Sequence, residues 1–285
     1  MNQCVLAAVL FSSAILSGCS ADKKADAAQP PKMKEGSVAP RPAVVSASST
    51  PYQVVSVAGA GKLTGTIDFD GVIPADSIIQ LPADVTGCGQ RITDQRILRT
   101  GTRIGDVVVW ITDIRSGKPL PVERRFQLTN EDCMLTPRVQ AVLAPATLNV
   151  VSEDIAIHRD RIINVGTGEL EGVAPFNDNG EVVPFDRLLD KTEQLEILCD
   201  LHPWAKAHIL VFDHPYFAMT DKSGTFSIAD VPAGSYHIKA WHPLLGVAEQ
   251  SVTIAAGQSA NLALKLGAPA PVVPATTPAS DSSAK

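Results

Sequence analysis

The sequence predicts an all-β protein built from Greek-key sandwiches, and two observations carry that prediction. Short apolar runs recur along residues 60–266, each bounded by Gly, Pro, Asn or Asp, the punctuation of strands joined by turns. Several runs alternate residue by residue, as in Tyr236-His237-Ile238-Lys239-Ala240-Trp241 and Asn261-Leu262-Ala263-Leu264-Lys265-Leu266. That is the period of a strand with one face buried. Strand-like runs fall at 62–69, 77–81, 106–113, 138–143, 147–151, 195–198 and 207–213, then at 224–228, 235–241, 248–254 and 259–266. Val107-Val108-Val109-Trp110-Ile111 is apolar throughout and reads as a core strand, with Trp110 inside. Asp221-x-x-Gly224 and Pro232-Ala233-Gly234 mark hairpin turns. Only 185–192 hints at a helical turn.

Both ends read differently from the body. Residues 1–18 are an apolar leader too short to span a bilayer as a permanent helix. The leader runs into Leu16-Ser17-Gly18-Cys19, which resembles the bacterial lipobox. The resemblance implies lipidation of Cys19, and Ser20 after it matches the outer-membrane sorting pattern. The expected location is the periplasmic face of the outer membrane, attached through the lipid; the alternative is a soluble periplasmic or secreted protein. Residues 19–59 are rich in Ala, Pro, Ser and Lys and read as a disordered linker, as does the tail 267–285. The net charge of −6 excludes a nucleic-acid partner, which requires a basic face.

Export changes the meaning of the cysteines. Cys4 leaves with the leader and Cys19 carries lipid, so Cys88, Cys133 and Cys199 remain. In an oxidising compartment Cys88 and Cys133 are the natural disulfide partners and Cys199 is the odd thiol. Two alternatives stay open: Cys199 is a buried inert thiol, or Cys199 is itself one of the disulfide partners.

Cys199 opens the most informative stretch, Cys199-Asp200-Leu201-His202-Pro203-Trp204. A thiolate and an imidazole three residues apart on a tight loop face one small volume, and copper or zinc takes such soft sulfur and nitrogen donors. His158 is the leading third ligand. No Gly-x-Ser-x-Gly, Walker or His-Glu-x-x-His motif occurs, and a Cys199/His202 nucleophile dyad does not suit so short a loop. The chain is therefore read as not an enzyme. His208 is taken as a sheet-surface residue, Glu153-Asp154 as a solvated turn, and a second cluster of His214 with His242 is kept as a minor reading.

Cys-x-x-His-Pro-aromatic resembles the ligand loop of the cupredoxins, most closely the short amicyanin type, whose pattern is Cys-x-x-His-x-x-Met. The resemblance implies a type 1-like copper site of His158, Cys199 and His202 used for one-electron transfer to a periplasmic redox protein, with the His202 edge as electron exit. Two departures stand in the sequence. Ala205 occupies the axial Met position, and Arg159 replaces an Asn that ties the ligand loops together. Separately, Thr220-Asp221-x-x-Gly224-x-Phe226-x-Ile228-x-x-Val231-Pro232-x-Gly234-x-Tyr236 resembles the carboxypeptidase regulatory-like, or transthyretin-like, β-sandwich. The first strand of that family resembles Gly65-Thr66-Ile67-Asp68-Phe69-Asp70-Gly71. The combination is similar to exported proteins named for methylamine utilisation. The implied organisation is a cupredoxin-like domain over 60–212 and a regulatory-like sandwich over 213–266, the two halves intertwined or sequential. A second reading is a metal-free binding or structural lipoprotein whose transthyretin-like module docks a protein or a glycan.

Overall fold

Strand Ala146–Ser152 is the hinge of the first sandwich: it pairs parallel with Arg125–Glu131 on one side and antiparallel with Val182–Leu189 on the other. With Met134–Thr136 at the edge these form a four-stranded sheet. Facing it is a five-stranded sheet ordered Val139–Leu143, Lys206–Phe212, Glu193–Cys199, His158–Asn164, Leu170–Phe176. Leu128, Leu148, Val150, Ile162, Leu195, Ile197, Ile209 and Val211 fill the space between the sheets. Each comes from an inward position of an alternating strand.

The computed structural model describes residues 41, 43–81, 87–122 and 124–267. The leader 1–18, the lipobox Cys19, the linker up to residue 40 and the tail from 268 lie outside the described residues. Those described belong to one compact unit and contain no helix.

The second sandwich draws on both ends of the body. Gly61–Asp70 is central in one sheet, flanked antiparallel by Thr225–Val231 and parallel by Ser259–Gly267. In the other sheet Val108–Ile111 lies between Phe217–Met219 and Gly234–His242, with Gly246–Ile254 at the edge. Leu63, Ile67, Ile104, Val109, Ile111, Phe226, Ile238 and Leu264 make the core. The continuous domain expected over 60–212 is therefore corrected: strands 61–70 and 108–111 complete the sandwich that continues at 217, and the sandwich holding Cys199 starts at 125. A strand at 61–70 needs two neighbours for its backbone groups, and these come from residues more than 150 positions away.

Strand periodicity explains how the sandwiches join. Along Lys206–Phe212, Ala207, Ile209 and Val211 point into the first core, while Leu210 and Phe212 join Val108, Trp110 and Trp241 of the second sandwich in a junction cluster. Trp110 and Phe212 meet with ring centroids 5.7 Å apart. Both faces of 108–111 are thus covered, which is why that strand is apolar throughout. His208 shares the outward face and stands edge-on to Trp241 at 5.8 Å, so it is a junction residue rather than a sheet-surface one. The helical hint at 185–192 is also corrected: it falls mostly in strand Val182–Leu189, whose Phe185 pairs with Leu148.

Candidate metal centre

Two neighbouring strands set the first two donors. Glu193–Cys199 runs antiparallel to His158–Asn164, with Asp160 opposite Cys199. Alternation then turns His158, Asp160 and Ile162 inward together, and all three are buried. Cys199 is the last inward residue of its own strand. After it the chain makes a tight loop, in which the Cys199 amide donates to the Ala205 carbonyl and the Ala205 amide to the His202 carbonyl. That closure swings His202 back over Cys199.

The three sequence-predicted ligands do converge. Cys199 Sγ lies 3.6 Å from His158 Nδ1 and 3.6 Å from His202 Nδ1, and the two Nδ1 atoms are 3.1 Å apart. A triangle with these sides has its centre about 2.0 Å from every corner, where metal–imidazole bonds measure about 2.0–2.1 Å and metal–thiolate bonds about 2.3 Å. The donor set is one thiol and two imidazoles, all buried. The residues therefore fit a copper or zinc ion in both chemistry and spacing.

Polar groups behind the donors fix their orientation. His158 Nε2–H donates to Asp154 Oδ2 at 3.0 Å, which leaves the Nδ1 lone pair facing the centre. The same Asp154 oxygen accepts the Cys133 amide at 2.9 Å. Asp154 is buried, so the solvated turn expected at Glu153-Asp154 is corrected: this carboxylate holds the candidate donor His158. The sequence signal was present, since Asp154 sits one short loop before His158, but nothing local marked the carboxylate as inward. Arg159 takes the tying role expected of an Asn, because its guanidinium pairs with Asp200 on the ligand loop and its carbonyl accepts the Asp200 amide at 2.9 Å. Arg161 pairs with the same carboxylate.

Electrostatics keep Cys199 and His202 uncharged at neutral pH. Burial, reinforced by the Asp160 carboxyl, pushes the Cys199 thiol up to about 11, against hydrogen bonds from the backbone of Arg159, Leu201 and His202 that favour the thiolate. Burial and the neighbouring His158 hold His202 down at about 4. At neutral pH, then, His202 is a neutral imidazole with one ring-nitrogen lone pair, and Cys199 keeps a proton that a bound cation would have to displace. Asp160 is itself raised by burial, and Asn130 Nδ2–H donates to its Oδ2 at 2.7 Å.

The surroundings of His202 differ from expectation. Its ring is only 4% exposed, with Nε2 against Cys88 Sγ at 3.4 Å and Trp204 at 5.4 Å between ring centroids. The exposed His202 edge is corrected: the ring is covered. The expected Cys88–Cys133 disulfide is formed, and Cys199 is the free thiol. Ala205 is fully buried among the core side chains and brings no donor. His214 and His242 do not form a joint site. Each accepts on Nδ1 the amide two residues ahead, from Tyr216 and Leu244 respectively, at 3.2 Å.

A family model described as polysaccharide lyase family 4, domain II, matches residues 204–262. No curated protein matches the chain. Among solved structures, the copper-containing nitrite reductase from Thermus scotoductus shares 23% identity over 36% of this chain and 24% of its own, at a TM-score of 0.28. This chain thus spans about a quarter of that enzyme's length. A Cu(I) amicyanin variant shares 10% identity over 33% of this chain and 86% of its own, at 0.27. A purple cupredoxin from Nitrosopumilus maritimus shares 16% over 30% and 98%, at 0.25.

Proposed function

We propose that this chain is an exported lipoprotein that holds one copper ion between His158, Cys199 and His202 and passes single electrons to a periplasmic redox partner. The observation that carries this reading is the donor triangle, whose centre lies at metal-bond distance from one sulfur and two nitrogens. Copper in such a site supplies a one-electron couple that needs little change of ligand position. The chain supplies rigidity. His158 and Cys199 stand on adjacent hydrogen-bonded strands, and Asp154 and Asp200 brace the ring and the loop. The backbone hydrogen bonds to Cys199 Sγ favour its thiolate form.

With His202 covered, the proposed docking face is the apolar rim made by the two ligand-bearing loops. Ile155 is 68% exposed, Ile157 56% and Leu201 52%. Three large apolar side chains at one metal-bearing end suit a transient, easily released contact. The proposed role is that of an electron carrier, not an enzyme, and export with lipidation at Cys19 rests on residues 1–19.

Titration of the folded chain with Cu(II) tests the reading. An intense blue thiolate-to-copper absorption is expected at one equivalent, and Cys199→Ser should abolish it. A colourless protein whose Cys199 still reacts with thiol reagents in the presence of copper would sink the proposal.

A further inference from the structure

His202 has sulfur on both sides. Its Nδ1 faces Cys199 Sγ at 3.6 Å and its Nε2 faces Cys88 Sγ at 3.4 Å. A ring nitrogen of His202 and the sulfurs of Cys88 and Cys133 lie within 4.8 Å of one another, all three residues buried. At present the two sulfurs are joined as a disulfide. Their backbone positions do not depend on that bond alone. Cys133 sits with Asp132 in a two-residue turn at positive φ, 53° and 55°, between strands Arg125–Glu131 and Met134–Thr136. Asn-Gly takes this type of turn more easily, yet a cysteine is placed here. Two residues clamp it: Asp154 accepts the Cys133 amide and Trp204 Nε1–H donates to the Cys133 carbonyl, both at 2.9 Å. Asp154 and Trp204 belong to the segments that carry His158 and His202.

The surroundings also suit a soft cation. Met134 packs with Cys88 and Cys133 in one small cluster, so a thioether side chain joins the two cysteines. A cavity of about 370 Å³ lined by Cys88, Arg91, Ile92, Glu131, Asp132 and Met134 gives access from the Cys88 side. Two carboxylates against one guanidinium leave that entrance net negative, which attracts a cation.

We infer that reduction of Cys88–Cys133 creates a second metal site, made of the two thiolates and His202 Nε2, for a soft monovalent cation such as Cu(I). The reductant is a dithiol: it gives two electrons and two protons to the disulfide, leaving two Cys thiols, and is itself oxidised to a disulfide. Binding of the cation then displaces the two thiol protons. When both centres are filled, the imidazole of His202 bridges them, giving up its remaining ring proton. Thiolate and imidazole ligands in this ratio are those Cu(I) prefers. The inference does not rest on electron transfer at the first centre, since the second set shares only His202 with it.

Cu(I) binding is measured anaerobically against a chromogenic Cu(I) chelator on the full chain, with Cys4→Ala and Cys19→Ala in every sample. Oxidised protein is expected to take one equivalent and phosphine-reduced protein two. Reduced Cys199→Ser should keep one equivalent, whereas oxidised Cys199→Ser should take none. Reduced protein carrying Cys88→Ser and Cys133→Ser should return to one. Equal stoichiometry before and after reduction, or no binding by reduced Cys199→Ser, overturns the second site. So does loss of the native near-ultraviolet dichroism on reduction that Cu(I) fails to restore. If the first centre does not bind copper, oxidised protein takes none while reduced Cys199→Ser still takes one, so the two readings fail separately.

Discussion

Asp154 Oδ2 accepts a hydrogen bond from His158 Nε2 at 3.0 Å while also accepting the Cys133 amide. One buried carboxylate thus fixes the tautomer of the candidate donor His158 and the turn that carries the disulfide. In Asp154→Asn the side chain keeps its shape and loses its charge. Copper affinity should fall by about 10–100-fold, the range for removing such a partner. Competition with a chelator checks this, and a variant that binds as tightly as the parent would show that the hydrogen bond is passive.

Charges on the apolar rim should slow electron exchange without touching the centre. Ile155→Glu with Ile157→Glu places two carboxylates where like copies or a partner must meet. The blue absorption is expected to stay unchanged, while the self-exchange rate measured by NMR line broadening drops about tenfold or more through like-charge repulsion. An unchanged rate would locate the electron exit elsewhere.

Ala205→Met asks two questions at once. Ala205 is fully buried among core side chains, so a longer side chain should cost about 1–3 kcal/mol of stability. If its sulfur reaches the copper, the oxidised state gains a donor and the reduction potential falls. A potential that does not move, with stability reduced, would show that the thioether packs into the core instead.

Acid should destabilise the metal-free protein through its buried histidines. Burial holds His208 and His214 well below the ordinary value, and His242 at about 3. In the unfolded chain these groups protonate near 6.5, so below that pH the unfolded state binds more protons than the folded one. Their contribution is complete above about pH 6.5 and is lost as pH falls from there toward the folded values, by up to about 1.4 kcal/mol per pH unit for each histidine. Urea unfolding at about pH 7 and about pH 5 measures the slope. His242→Asn, which preserves an acceptor for the Leu244 amide, should flatten it by one proton; an unaltered slope would remove His242 from the account.

Legibility in the sequence followed the hydrophobic pattern. Strands such as 234–242 and 259–267 alternate apolar with polar residues and are visible without a structure. Strand His158–Asn164 is not, because its inward positions begin with His158 and Asp160 instead of aliphatic side chains. Chemistry had displaced packing at the place where the site is built. Strand Arg125–Glu131 is hidden for the same reason, since its inward Asn130 serves Asp160. The ligand loop itself was legible because its Cys, His and Pro are neighbours in sequence.

The sequence alone determined the all-β class and marked Cys199 and His202, with His158, as the candidate metal donors. The Cys199-x-x-His202 pair and the alternating strands were legible because they are properties of residue type and short-range order, whereas the sequence offered Cys88–Cys133 as one of several pairings and the structure shows that it forms. Only the tertiary structure decided which strands share a sandwich, since the neighbours of Gly61–Asp70 come from the far end of the chain. It also decided that Asp154 is a buried support and that the disulfide covers His202. Both depend on loops that meet through backbone pairing between distant segments, a distance in space that no local pattern encodes.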